Sequence, residues 1–229
     1  MFLLIDWLFI LEKIGLISII LLVSLGVAAY ATWGERKVAA IMQDRIGPAR
    51  AGPFGLLQPL ADGLKLFMKE EIIPNNSSKA IFVLGPAMFM VTALMTSAVI
   101  PWGPSFTIGD HTVALQVADV NISILFVFGV VSLGVYGIML GGWSSNNKFS
   151  LLSSIRAASQ AISYELAMGL SLIALLMMAN TLSLNEIVQQ QHGFWNDGYF
   201  TWNFFKQPLG FFIFLVCAFA ELNRAPFDL

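Results

Sequence analysis

Charge is what this 229-residue chain has least of. Asp, Glu, Lys and Arg together make up 11% of it, where a soluble domain carries roughly a quarter. So few charges cannot cover a water-facing surface, and a mean hydropathy of +0.77 with 57% hydrophobic residues requires an integral membrane protein. A net charge of only −2 leaves no electrostatic footprint for nucleic acid. The single cysteine, Cys217, lies in an apolar run and can form neither an internal disulfide nor a multi-cysteine metal site. Histidine is nearly absent: His111 and His192 stand alone in polar loops, and no metal centre is expected. No CxxC, P-loop or GxGxxG pattern occurs, so the chain itself carries no signal for a nucleotide, flavin or iron–sulfur centre.

What remains is long apolar runs. A spanning helix needs about 20 apolar residues, and five stretches qualify, at about 14–31, 80–100, 120–140, 155–180 and 209–222. The first is too long for a cleaved signal peptide, lacks an obvious cleavage site and is followed by further spans. The expected fold is a single all-α membrane domain. Basic residues set its orientation. With the N-terminus outside, Arg36, Lys37, Arg45, Arg50, Lys65, Lys69, Lys79, Lys148, Arg156 and Arg224 fall inside, and only Lys13 and Lys206 fall outside. Trp102, Trp195, Tyr199 and Trp202 in the outside loops read as interfacial anchors.

The scarce charge is concentrated. Seven of the twelve basic residues lie between Arg36 and Lys79, six of them in a Gly- and Pro-rich segment running from Glu35 to Pro74. Gly47, Pro48, Gly52, Pro53 and Gly55 make a turn region there. After it, Leu56, Leu57, Leu60, Leu64, Phe67 and Met68 recur at three- and four-residue spacing, opposite Asp62, Lys65 and Lys69. This predicts an amphipathic helix at about 55–70. It can serve as a surface anchor in the interface plane. It can also roof a cavity, with its polar face toward a partner protein.

Two carboxylates stand out because charge in hydrocarbon costs several kcal/mol and marks functional paths. Glu165 precedes Asn180 by 15 residues, roughly 22 Å along a helix, which places it about a third of the way into a ~30 Å core from the inner face. Glu221 follows FFIFLVCAFA directly, with Arg224 three residues on and Pro226 and Asp228 beyond. Structural ion pairs, Glu221 with Arg224 and Arg156 with Glu165, are one reading. A buried carboxylate that trades a proton is the other.

Three segments together resemble a known family. GERKVAAIMQDRIGPARAGPFGLLQPLADGLKLFMKEEIIP is similar to the signature of the H-type membrane subunits of proton-pumping NADH:quinone oxidoreductase, respiratory complex I. SSIRAASQAISYEL and AELNRAPFDL resemble the family's second and third signatures, in the same order, so the resemblance covers nearly the whole chain. The family continues past its third motif with an acidic inside loop and further spans, whereas this chain stops at Leu229. The resemblance therefore implies a C-terminally incomplete subunit, lacking part of the quinone chamber wall.

The resemblance implies a component of a multi-subunit translocase. Glu35, Arg36, Arg45 and Asp62 match charged positions around a quinone chamber, and Phe54, Gly55 and Gln58 match shaping positions. Arg156, Glu165, Glu221, Arg224 and Asp228 match the polar path toward proton-pumping subunits. Quinone, of the ubiquinone or menaquinone type, enters as substrate and through the resemblance alone. NADH, flavin and iron–sulfur clusters belong to partner subunits of the peripheral arm, and the implied partners also include the membrane arm and lipid. The long outside loops and QQQHGFWNDGYF suggest a bacterial inner membrane rather than a mitochondrial one. Two other classes stay open: the membrane subunit of an energy-converting hydrogenase or formate hydrogenlyase, and a stand-alone secondary transporter. The ERKVAAIMQDRIGP and GPFGLLQPLADGLK motifs favour complex I over the first. The absence of internal repeats speaks against the second.

Overall fold

The computed structural model describes residues 7–108, 111–191, 202–224 and 227. Trp195, Tyr199, His192, Pro226 and Asp228 lie outside the described residues. The chain divides into two compact units, Met1–Ile72 and Ile73–Leu229.

The first unit is built on α1 (Trp7–Met42) and α2 (Gln58–Phe67). Hydrocarbon length bounds the apolar stretch but does not stop the helix. ERKVAAIM contains no Gly or Pro, so α1 runs on through Glu35, Arg36 and Lys37 to Met42. Asp44 ends it in the left-handed region at φ 55°, with the Arg45 N–H donating back to the Ala40 carbonyl at 2.9 Å. The turn that follows contains a 3₁₀ segment, Pro53–Gly55. Gly55 is indispensable there: its φ is +79°, and a Cβ would lie 2.2 Å from the Pro48 carbonyl oxygen.

The second unit contains α3 (Lys79–Thr96), α4 (Ser123–Ser144), α5 (Lys148–Ala179) and α8 (Pro208–Glu221), with short helices α6 (Leu184–Gln189) and α7 (Asn203–Lys206). A small antiparallel hairpin, β1 (Phe106–Ile108) with β2 (His111–Val113), pairs Phe106 with Val113. Each long helix packs on the next: α3 on α4, α4 on α5, and α5 on α8. Lipid supplies no hydrophobic drive between helices, so close packing must come from small residues. A Cβ on Gly137 of α4 would sit 2.7 Å from the Gly85 carbonyl of α3, and one on Gly142 would sit 2.0 Å from Ser154 Oγ of α5.

Asparagine does the work of helix punctuation. Asn146 turns at φ 52° between α4 and α5, Asn147 caps α5 by accepting from the Phe149 N–H at 3.0 Å, and Asn180 closes it at φ 53°. Among the described residues, four helices, α1, α3, α4 and α5, are long and apolar enough to cross a membrane, and α8 is a shorter apolar helix of 14 residues. Their apolar side chains are largely exposed, as expected where lipid is the solvent. The chain is an all-α membrane protein.

Candidate functional site

The residues singled out by the sequence fall into two clusters, one in each unit. In the first unit, Arg36 near the end of α1 donates through Nη1 to Asp62 Oδ2 of α2 at 2.6 Å, and Gln58 Nε2 donates to Asp62 Oδ1 at 3.0 Å. Gln58 reaches Asp62 because four residues along a helix share a face. Each carboxylate oxygen thus has its own donor. The Gln58 bond first, then Arg36, holds the Asp62 carboxyl below the usual aspartate range, and the charge of Lys65 adds to the effect.

This contact decides which way α2 faces. The sequence pattern suggests a polar face turned toward a partner, but Asp62 is spent on Arg36 of α1. Leu60, Leu64 and Phe67 are exposed at 63%, 65% and 91%, and Lys65 is exposed as well. Arg45 does not join the pair; its Nε donates to Gln43 Oε1 at 2.7 Å. Glu35 is exposed one residue before Arg36 on α1. Phe54 stands at φ 56°, a left-handed conformation unusual for a side chain of that size, and is 80% exposed.

In the second unit, Glu165 is half-buried near the middle of α5. Its Oε1 is in hydrogen-bond contact with Ser132 Oγ of α4. It lines an open cleft of about 370 Å³ together with Phe128, Ser132, Ile162, Leu166, Gly169, Leu170 and Ile173. Among the described residues, Glu165 is the only charged group in that lining. Glu221, the last residue of α8, is half-buried, and α8 packs on α5, the helix that carries Glu165.

The structure separates other expected partners. Arg156 and Glu165 are nine residues apart on one continuous helix, which at about 100° per residue puts them on opposite faces. Arg156 is also exposed. Arg224 lies past the end of α8, after Asn223 has turned into the left-handed region at φ 48°, so it is not on the same helical turn as Glu221. Asp228 is outside the described residues.

Sequence reasoning misses Ser132, the Gln58–Asp62 bond, and the contacts of Phe227. The Phe227 ring meets Tyr164 edge-on at 5.6 Å, and its carbonyl accepts from Gln160 Nε2 at 3.4 Å. One signal is there to be read: Gln160 and Tyr164 are polar residues four apart in the second motif, and therefore share a face.

A family model described as NADH dehydrogenase matches residues 14–229. The chain belongs to the NADH dehydrogenase family. Among members, an H-type subunit of NADH-quinone oxidoreductase from Cytophaga hutchinsonii is 62% identical over 221 residues, covering 96% of this chain and 63% of the relative. The corresponding protein of Flavobacterium johnsoniae is 60% identical over 221 residues, covering 96% and 61%. That of Flavobacterium psychrophilum is 59% identical over 224 residues, covering 98% and 64%. The chain spans less than two thirds of the length of these NADH dehydrogenase family relatives.

Proposed function

We propose that this chain is a membrane subunit of a bacterial, proton-translocating NADH:quinone oxidoreductase, with a single membrane domain and its N-terminus outside. In that role it forms part of the quinone chamber and links it to proton movement in the membrane arm. Electrons reach quinone through NADH, flavin and iron–sulfur chemistry on partner subunits of the peripheral arm. This chain contributes walls and proton-handling groups and sits in lipid.

The observation that carries the reading is Glu165 and Glu221 on packed helices α5 and α8, within the region the family model matches. Quinone reduction takes up protons and changes charge nearby. Acidic side chains on these two packed helices convert that change into a proton shift toward the membrane arm.

The remaining residues have supporting roles. Arg36 and Asp62, with Glu35 and Arg45 beside them in sequence, form the charged lining of the chamber. Asp62 stays anionic because its two donors, Gln58 and Arg36, favour the charged form. Arg156, Arg224 and Asp228 belong to the inner end of the proton path.

The test is Glu221→Gln in the assembled complex reconstituted into vesicles. Loss of a proton carrier is expected to lower proton uptake and quinone turnover together by at least about tenfold. Wild-type values for both remove Glu221 from the path.

A further inference from the structure

Ser132 lies on α4, 33 residues before Glu165 and on a different helix. Its Oγ is within hydrogen-bond reach of two acceptors, the Phe128 carbonyl at 2.9 Å and Glu165 Oε1. A serine hydroxyl carries one proton and two lone pairs. When Glu165 is ionised both neighbours accept only, so that one proton can serve just one of them.

The geometry points to Ser132 as a two-position rotor that holds Glu165 in either charge state; this rests on the reading of Glu165 as a proton carrier. When Glu165 is protonated, its carboxyl O–H donates to Ser132 Oγ, and Ser132 donates to the Phe128 carbonyl. All three groups are then satisfied. When the proton leaves, the Ser132 hydroxyl turns to donate to the Glu165 carboxylate, and the Phe128 carbonyl keeps its helical partner. On the proposed function the departing proton passes along the path to the Glu221 carboxylate. One O–H bond breaks at Glu165, one forms at Glu221, and Ser132 keeps its own proton. Ser132 is therefore a positioning residue, and the cleft around it explains why it is needed: every other lining residue is apolar or glycine, so no other side chain there offers a hydrogen bond.

The experiment is infrared difference spectroscopy on the assembled, full-length complex. The carbonyl band of protonated Glu165 is assigned by its loss in Glu165→Gln. In Ser132→Ala the band moves to higher wavenumber, because the carboxyl loses its acceptor, and coupled turnover falls about tenfold, the scale of one hydrogen bond to a charged group. Ser132→Thr keeps the hydroxyl, leaves the band in place and stays within about twofold. If Ser132→Ala does not assemble, Ser132→Cys, a weaker hydrogen-bonding group, must shift the band in the same direction. An unmoved band in the variant that assembles overturns the inference. A moved band alongside unchanged pumping in Glu165→Gln keeps the rotor and instead removes the proton role proposed for Glu165.

Discussion

Arg36 and Asp62, 26 residues apart, are joined by a 2.6 Å hydrogen bond that fastens α2 to the C-terminal part of α1. The bond is half-exposed, so its strength depends on salt. Its consequence is orientational: it fixes which face of α2 is free.

Asp62→Asn or Arg36→Ala is expected to release α2. Amide hydrogen exchange over Gln58–Phe67 should rise in both variants. Acid should do the same in the wild type, with a defined sign. Asp62 titrates below its ordinary value of 3.8, so its contribution is fully present above that value and is lost as pH falls through the lower folded one. Exchange that rises already between pH 6 and 5 would argue against this pair as the fastening, since a carboxylate so held is still ionised at about that pH.

Glycine spacing at the α4 crossings predicts a rescue. Gly142→Ala places a Cβ 2.0 Å from Ser154 Oγ and should cost about 1–3 kcal/mol of overpacking. Adding Ser154→Gly removes the obstructing side chain and should recover much of the loss. Thermal unfolding of the two single variants and the double variant measures it as a non-additive pair.

The turn before α2 predicts opposite outcomes at adjacent residues. Phe54→Gly relieves a left-handed conformation and should stabilise or leave unchanged, by up to about 1 kcal/mol. Gly55→Ala should destabilise strongly, because φ is positive and the Pro48 carbonyl blocks the new Cβ. Expression level and melting temperature compare the two.

Opposite helical faces predict independence. Arg156→Gln and Glu165→Gln should act additively on turnover, with a coupling energy within about 0.5 kcal/mol. A larger value would mean that the two side chains communicate despite facing apart.

Much of this was legible in the sequence, for identifiable reasons. Hydrophobic runs located α3, α4 and α5, because bilayer thickness imposes a length on a spanning helix, whereas the run at 209–222 folds as α8, a helix of 14 residues. The three- and four-residue leucine spacing located α2. The scarcity of charge singled out Glu165 and Glu221. Three things were hidden. Helix α1 continues past its apolar stretch because ERKVAAIM is good helix sequence in water as well as in lipid. The direction of α2 depended on Arg36, a contact across 26 residues that no local pattern encodes. Ser132 looked like one of several hydroxyls in apolar spans, most of which bond back to their own helix, as Ser18, Ser24 and Thr32 do. Only the register of α4 against α5 distinguishes it.

The proposed function turns on the Glu165 carboxylate carrying a proton for a redox-driven pump. The decisive quantity is the number of protons translocated per quinone reduced in Glu165→Gln, in the complete complex in sealed vesicles. Glutamine keeps the shape and the contact with Ser132 but cannot give up a proton. Translocation should be lost while the complex still assembles; wild-type translocation at a wild-type rate of quinone reduction would contradict the assignment.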